Sequence, residues 1–371
     1  MLRGLDHAPT AAAPALFRAF PALAGRVPWL PLGRFPTAVA RLDGLVPPSV
    51  ELWIKHDDES GTVYGGNKVR KLEFLLGEAQ ARGARRLVTL GAIGSHHVLA
   101  TAIYGKQAGF AVDAVVFPQP LTAHVREQML ADVAAGATLH PTRGYLGVPF
   151  GVWRQRRGGD ALWIASGGSS PTGTLGYVSA GLELLEQITA GELPRPDVIY
   201  VALGSCGTAA GLLVGLAGAP SLPRLDARVV GVRVVDRAVS NEHATRRLAA
   251  RTAALLASAG EHWFDQFAPP PFAVEHRFFG GAYGRATPES DEAVARAGER
   301  ELVLEPTYTG KAMAALLADA DAGTLDGKRV LFLNTFSSVD LGPFIAAGPG
   351  VAALPPALQR HFDAGATGGT Q

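Results

Sequence analysis

Apolar residues recur at helical spacing from residue 69 onward: Val69, Leu72, Leu75, Leu76 and Ala79 share one face of a helix over "NKVRKLEFLLGEAQARGA". The short apolar run "RRLVTLGA" that follows has the length of a buried strand. A serine then opens a second helical stretch, "SHHVLATAIYGKQAG", in the position of an N-cap. "AVDAVVFP" reads as a strand, "TAHVREQMLADVAAGA" as a helix and "TLHPT" as a strand. This alternation predicts a βαβαβ unit, and so parallel strands with helices on the faces of their sheet. Ahead of it, "VELWIKHDD" (residues 50–58) reads as a strand closed by acidic turn residues. After "GGSSPTGTLGY" the alternation resumes. The helix "VSAGLELLEQITAG" leads to the strand "DVIYVALG", the helix "AAGLLVGLAG" and the strand "ARVVGVRVV". The helix "NEHATRRLAARTAALLASAG", with an arginine-rich outer face, and a late strand, "KRVLFLNTFSS", complete the series. Prolines and alanines make roughly the first fifty residues read as mostly irregular and about the last twenty as poorly ordered. Two α/β lobes, with the chain crossing between them, fit this order of elements.

Composition narrows the picture only slightly. A chain of 371 residues with 47% hydrophobic and 18% charged content is a globular protein with ample core. A formal net charge of +1 gives no reason to expect nucleic acid or an anionic membrane as partner. The single cysteine, Cys206, excludes an internal disulfide framework and a cysteine-based zinc cluster, and no metal-ligand motif is present. No charged-then-apolar leader opens the chain and no apolar run has the length to span a bilayer, so a cytoplasmic protein is expected.

Two short stretches carry candidate chemistry. Gly204-Ser205-Cys206-Gly207-Thr208 lies between a predicted strand and helix. Such a loop turns backbone N–H groups toward one point at a helix N-terminus, where an anion is favoured. It lacks the lysine of a P-loop and the spacing of a dinucleotide fingerprint. A tight turn that needs glycine, with Cys206 as a small residue within it, is the other reading. In "GGNKVRKLE" two glycines and Asn67 lead into Lys68. This lysine is a solvated helix-start charge, a phosphate ligand or an amine for covalent chemistry. The last use requires the amine to be partly neutral, through desolvation or neighbouring cations such as Arg70 and Lys71.

Five stretches, "WIKHDD", "GGNKVRKLEFLL", "TLGAIGSHHVLATA", "GSCGTAAGL" and "EPTYTGKAM", give the chain a resemblance to the 1-aminocyclopropane-1-carboxylate deaminase/D-cysteine desulfhydrase family of pyridoxal-phosphate enzymes. The resemblance runs over about residues 28–340. It implies a two-lobed α/β fold with parallel sheets, of the tryptophan-synthase-β-like type (fold type II). The large cofactor-binding lobe would be residues 1–70 and 176–371, and the small α/β lobe residues 71–175. It also implies that Lys68 carries pyridoxal 5′-phosphate as an imine, that Asn67 lies beside the cofactor's 3′-oxygen, and that Gly204 to Thr208 grip its phosphate. Tyr308 and Tyr283 match tyrosines at the substrate. Asn334 and Thr335 fall where the family keeps a threonine near the pyridine nitrogen, although Phe336 and Ser337 replace the usual glycine pair. A homodimer is implied as well.

The pattern departs from the family in two further places. Deaminases carry a glutamate directly after the tyrosine matched by Tyr308; here Thr309 follows, as in the D-cysteine desulfhydrase branch. A neutral hydroxyl at the ring nitrogen leaves a weaker electron sink, which suits β-elimination. The family's Ser-Asn-His, whose first two residues clasp the substrate carboxylate, reads Ser95-His96-His97 here. Adjacent histidines could simply pack around the helix start, and a metal pair is disfavoured because consecutive helix positions diverge by about 100°. Alternatively His96, able to be a cation or a proton donor, admits a bulkier or more anionic substrate than D-cysteine. The expected activity is α,β-elimination on a small amino acid to an oxo-acid and ammonia. Ring-opening deamination, β-replacement and a catalytically reduced pyridoxal-phosphate-binding homologue are the alternatives. Trp53, Trp153, Trp163 and Trp263 are expected to pack; His243, His262 and His276 have no partner motif, and "RQRR" (154–157) reads as a solvated face.

Overall fold

The computed structural model describes residues 13–362 apart from Gly158. Ten strands are present among them: β1 (Val39–Arg41), β2 (Glu51–His56), β3 (Arg86–Ala92), β4 (Ala111–Phe117), β5 (Ala137–Pro141), β6 (Ala161–Ile164), β7 (Val198–Leu203), β8 (Arg228–Arg233), β9 (Phe272–Glu275) and β10 (Arg329–Asn334). The longer helices, with a short first one, are α1 (Ala15–Ala19), α2 (Lys68–Ala81), α3 (His96–Gln107), α4 (Ala123–Ala134), α5 (Val148–Gln155), α6 (Pro171–Thr189), α7 (Gly207–Gly215), α8 (Glu242–Ser258), α9 (Pro288–Gly298) and α10 (Thr309–Asp321).

Two sheets result. One has six strands in the order β1-β2-β10-β7-β8-β9, and the other has four in the order β5-β4-β3-β6. Only β1 runs antiparallel to its neighbour; the remaining pairs are parallel. β7 is buried along its whole length, as the unbroken apolar run "VIYVAL" requires of a strand covered on both faces. One face of the six-stranded sheet packs on α1, α6, α7 and α8, and the other on α9 and α10. The four-stranded sheet shares a separate core with α2, α3 and α4. α2 joins the two layers, because Phe74 packs in the first core while Val69, Leu72, Leu75, Leu76 and Ala79 pack in the second.

Four expectations change. The alanine- and proline-rich N-terminal stretch contains α1, whose Ala15, Leu16 and Phe17 are buried, and the edge strand β1; residues 1–12 lie outside the described residues. α6 begins at Pro171, inside the stretch read as a loop. Ser170 caps it by accepting from the Gly173 N–H at 3.2 Å, and proline suits its first position. Near the C-terminus, Leu354 and Leu358 are buried in the core of the four-stranded sheet, while 363–371 lie outside the described residues. The tail therefore returns to the smaller layer, although the other residues that follow α6 build the larger one. Trp53 packs against the core as expected, whereas Trp153 and Trp263 are about half exposed.

The "WIKHDD" stretch has a structural role. Lys55 reaches Glu183 at 2.5 Å, and Arg70 bridges Asp57 at 2.8 Å and Glu183 at 2.9 Å, with all four side chains almost wholly buried. Thr37, Tyr177 and Gln187 supply further hydrogen bonds. Burial alone would raise the Glu183 carboxyl, but Arg70 and Lys55 outweigh it and pull it down to about 2. Two cations and two anions thus tie β2, α2 and α6 together immediately behind Lys68.

Candidate active site

A cavity of about 690 Å³ opens between the two sheets. Its walls come from the carboxyl ends of β3, β7, β8 and β10, where ligands bind in parallel α/β sheets. Lys68, Asn67, Ser95, His96, His97, all of Gly204 to Thr208, Tyr283, Tyr308 and Thr335 line it together. Thr309 is not brought there: it is 1% exposed, and its hydroxyl accepts from the Glu305 N–H at 3.0 Å. Successive helix residues diverge, so the neighbour of a lining tyrosine turns into the core.

Lys68 is the first residue of α2. Its amine donates to Asn67 Oδ1 at 2.6 Å, and Asn67 Nδ2 donates to Thr208 Oγ1 at 3.1 Å, so one amide links the lysine to the glycine loop. Burial pulls the Lys68 amine down to about 8, opposed by the Glu305 carboxylate. Arg70 plays no part in this, since its guanidinium is committed to Asp57 and Glu183. Lys71 faces the loop instead, with Nζ 3.0 Å from the Gly167 carbonyl. Burial, and then Lys68, hold its amine well below the usual lysine range.

The loop after β7 has a geometry that can accept an anion. Cys206 sits in the left-handed region (φ 68°) at the start of α7, and the first N–H groups of that helix have no intrahelical acceptor. The Gly207 N–H donates to Ser169 Oγ at 3.1 Å. A Cβ at Gly207 would lie 2.4 Å from that oxygen and 2.9 Å from Lys71 Nζ, so only glycine leaves the cradle open. Across the cavity the Tyr283 and Tyr308 hydroxyls are 2.7 Å apart and the rings meet edge to face. Burial raises both phenols, and Tyr283 stands at about 12.

Ser95 precedes α3 with its hydroxyl not used to cap that helix, which leaves it and the first N–H groups of α3 for a ligand. The two histidines diverge. His97 Nε2 lies 2.9 Å from Thr89 Oγ1, whereas His96 is held between Tyr64 and His124. Burial, then His124 and Lys68, push the His96 imidazole well below its usual range, which disfavours a cation there. The Thr335 carbonyl accepts the Asn67 N–H at 3.1 Å; Phe336 and Ser337 line the wall beside it, and Ser337 Oγ accepts the Gly65 N–H at 3.0 Å. Asn334 points away, donating to the Val303 carbonyl at 3.2 Å.

Glu305 and Tyr64 are lining residues that escape a reading of the sequence. Glu305 accepts three backbone N–H groups, from Thr307, Tyr308 and Thr309, at 2.7, 2.7 and 2.8 Å. An acid ahead of the helix in "EPTYTGK" is the available signal, being the residue that a helix N-terminus prefers. Tyr64, directly before the glycine pair, has no signal beyond its position. Among the described residues, His56, Asp58 and Glu59 bring three potential metal-ligand atoms within 4.8 Å of one another, outside the lining of this cavity.

The family model described as pyridoxal-phosphate dependent enzyme matches residues 30–335. Nocardicin C-9′ epimerase of Nocardia uniformis subsp. tsuyamanensis is 35% identical over 88% of this chain and 97% of its own. D-cysteine desulfhydrase of Serratia proteamaculans is 32% identical over 77% and 86%. The crystal structure of an ACC deaminase homologue superposes with a TM-score of 0.72 at 29% identity, covering 91% of this chain and 99% of that one. The fold and the buried lysine facing an anion cradle are those of a fold type II enzyme. The chain belongs to the pyridoxal-phosphate dependent enzyme family. Its residues fit that cofactor: a lysine with a depressed pKa, a glycine loop that a single Cβ would block, and a buried second amine beneath it.

Proposed function

We propose that the protein removes a β-substituent from a small amino acid, giving an oxo-acid and ammonia, in the manner of a D-cysteine desulfhydrase. The observation that carries this reading is the Lys68 amine, at about 8, in one cavity with the paired Tyr283 and Tyr308 hydroxyls. Pyridoxal phosphate, when bound, supplies the sink for the electron pair left at Cα. Gly204 to Thr208 would hold its phosphate with the Lys71 amine as a further donor beside the loop, which makes the lobe of the six-stranded sheet the cofactor-binding one. Asn67 aligns Lys68, and Thr335, on the cavity wall, would face the cofactor ring. Ser95 and the start of α3 hold the substrate carboxylate. The Lys68 amine takes the Cα proton; Tyr308 protonates the departing β-substituent and is reprotonated through Tyr283, which takes a proton from water, while Lys68 returns its proton to solvent.

The test is to supply the holoenzyme with D- and L-amino acids bearing β-leaving groups and with aminocyclopropane carboxylate, and to measure oxo-acid and ammonia. Release from a β-substituted substrate that disappears in Lys68→Ala supports elimination. Recovery of intact amino acid with inverted handedness would replace it with epimerisation, a second reading that the 35% identity to an epimerase favours. Self-association as a homodimer is supported by the exposed Tyr145, Leu146, Phe150 and Trp153, and sedimentation equilibrium checks it. Among the described residues no helix is long and apolar enough to cross a membrane.

A further inference from the structure

Tyr64 and His96, both on the cavity wall, begin a row of proton-carrying groups that ends at the surface. Tyr64 Oη lies 2.6 Å from His96 Nδ1, and His96 Nε2 lies 3.3 Å from His124 Nε2. His124 Nδ1 faces Glu127 Oε2 at 3.9 Å, where the two side chains are 43% and 60% exposed. Phe336 closes the row from one side, its ring 5.3 Å from that of His96 and 6.5 Å from that of His124. His96 and Phe336, two positions at which this chain departs from the resembled family, are therefore in contact.

An arrangement of hydrogens exists that satisfies every member. Burial holds the Tyr64 phenol far above its usual range, so it keeps its proton and donates to His96 Nδ1. A neutral His96 then carries hydrogen on Nε2 and donates to His124 Nε2, which places the hydrogen of a neutral His124 on Nδ1, toward Glu127. Gln128, Asp132, Glu305 and Tyr104 are the other polar and charged groups near the phenol.

We propose that Tyr64, His96 and His124 form a proton path between the substrate cavity and solvent. The proposal rests on the reading that Lys68 takes a substrate Cα proton. In one passage Tyr64 accepts a proton from the ammonium of Lys68, directly or through water, as it gives its own to His96 Nδ1. His96 passes its Nε2 proton to His124, and His124 releases its Nδ1 proton to Glu127 or water. One proton leaves the cavity, no relay group changes charge, and both rings end in the other tautomer. The reverse passage restores the start and brings a proton in.

Two measurements test this. In protein labelled with ¹⁵N-histidine and without substrate, long-range proton–nitrogen NMR reads the tautomers directly. Nε2–H on His96 and Nδ1–H on His124 are expected; a His96 that is charged or carries hydrogen on Nδ1 at neutral pH overturns the path. In the second, holoenzyme turns over an amino acid in D₂O while NMR follows washout of the Cα hydrogen. His124→Phe is expected to slow washout roughly a hundredfold with unchanged cofactor absorbance, and added imidazole to restore it. Unchanged washout, or slowed washout that imidazole leaves as it is, overturns the proposal. If Lys68→Ala still exchanges the Cα hydrogen, the Lys68 reading fails instead, and the tautomer result stands apart from it.

Discussion

Lys68 places its amine in the cavity from the first turn of α2, where burial weakens its basicity. With a pKa of about 8 rather than the usual lysine value, half of the amine is neutral at mildly alkaline pH. Only the neutral form attacks an aldehyde. Uptake of pyridoxal phosphate by the cofactor-free protein is therefore expected to quicken as pH rises through about 8 and then level off, read by stopped-flow absorbance. The Glu305 carboxylate favours the charged ammonium, so Glu305→Gln should move that rise to lower pH. A rise that stays in place would mean that the carboxylate does not reach the amine. Glu305 also shows where sequence reading stops at this scale. Tyr308 and Thr309 are neighbours in the chain, and the resemblance marks both as site residues, yet the tyrosine lines the cavity and the threonine is sealed against Glu305. His124 is 28 positions from His96, and nothing local reports that the two imidazoles meet.

The elements are held where the site needs them by charges that never reach it. Lys55, Asp57, Arg70 and Glu183 fix the start of α2 against β2 and α6. Breaking a buried ion pair by removing one partner costs about 3–5 kcal/mol, so Glu183→Gln is expected to lower the midpoint of chemical denaturation strongly. The sign with pH follows from the lowered carboxyl. Its stabilisation is complete above the unfolded value near 4.5 and is lost as pH falls toward about 2. Glu183→Gln should remove that part of the acid dependence, and a wild-type acid profile in the variant would count against the network. The α/β alternation itself is legible in the sequence, because buried parallel strands are continuous apolar runs and their helices carry period-3.6 stripes. β6, β9 and the helices α5, α9 and α10 are less so: α5 buries no residue, and β9 has only four residues. The meaning of "WIKHDD" is not legible at all, since its partners lie on α2 and α6.

Across the whole molecule the cavity belongs to both layers. The glycine loop and α7 come from the six-stranded sheet, Ser95 and α3 come from the four-stranded one, and α2 packs in both cores. On the proposed reading, a cofactor held by Lys68 and the loop would engage mainly the larger layer, whereas a substrate carboxylate at α3 would add the smaller one. Ligand present at a hundred times its dissociation constant stabilises what it holds by about 2.7 kcal/mol, roughly a hundredfold in local opening. Hydrogen exchange should then report two steps. Pyridoxal phosphate alone is expected to slow exchange at 204–208 and the first turn of α7, and a slowly reacting amino acid added to the holoenzyme to extend protection to the amides of 95–98. Gly207→Ala, whose Cβ would meet Ser169 Oγ at 2.4 Å, should abolish the first step and with it the second, while leaving the sheets folded. Protection of both regions by the cofactor alone would show instead that the two layers close before any substrate arrives, and the carboxylate would then be met by a site already shut around it.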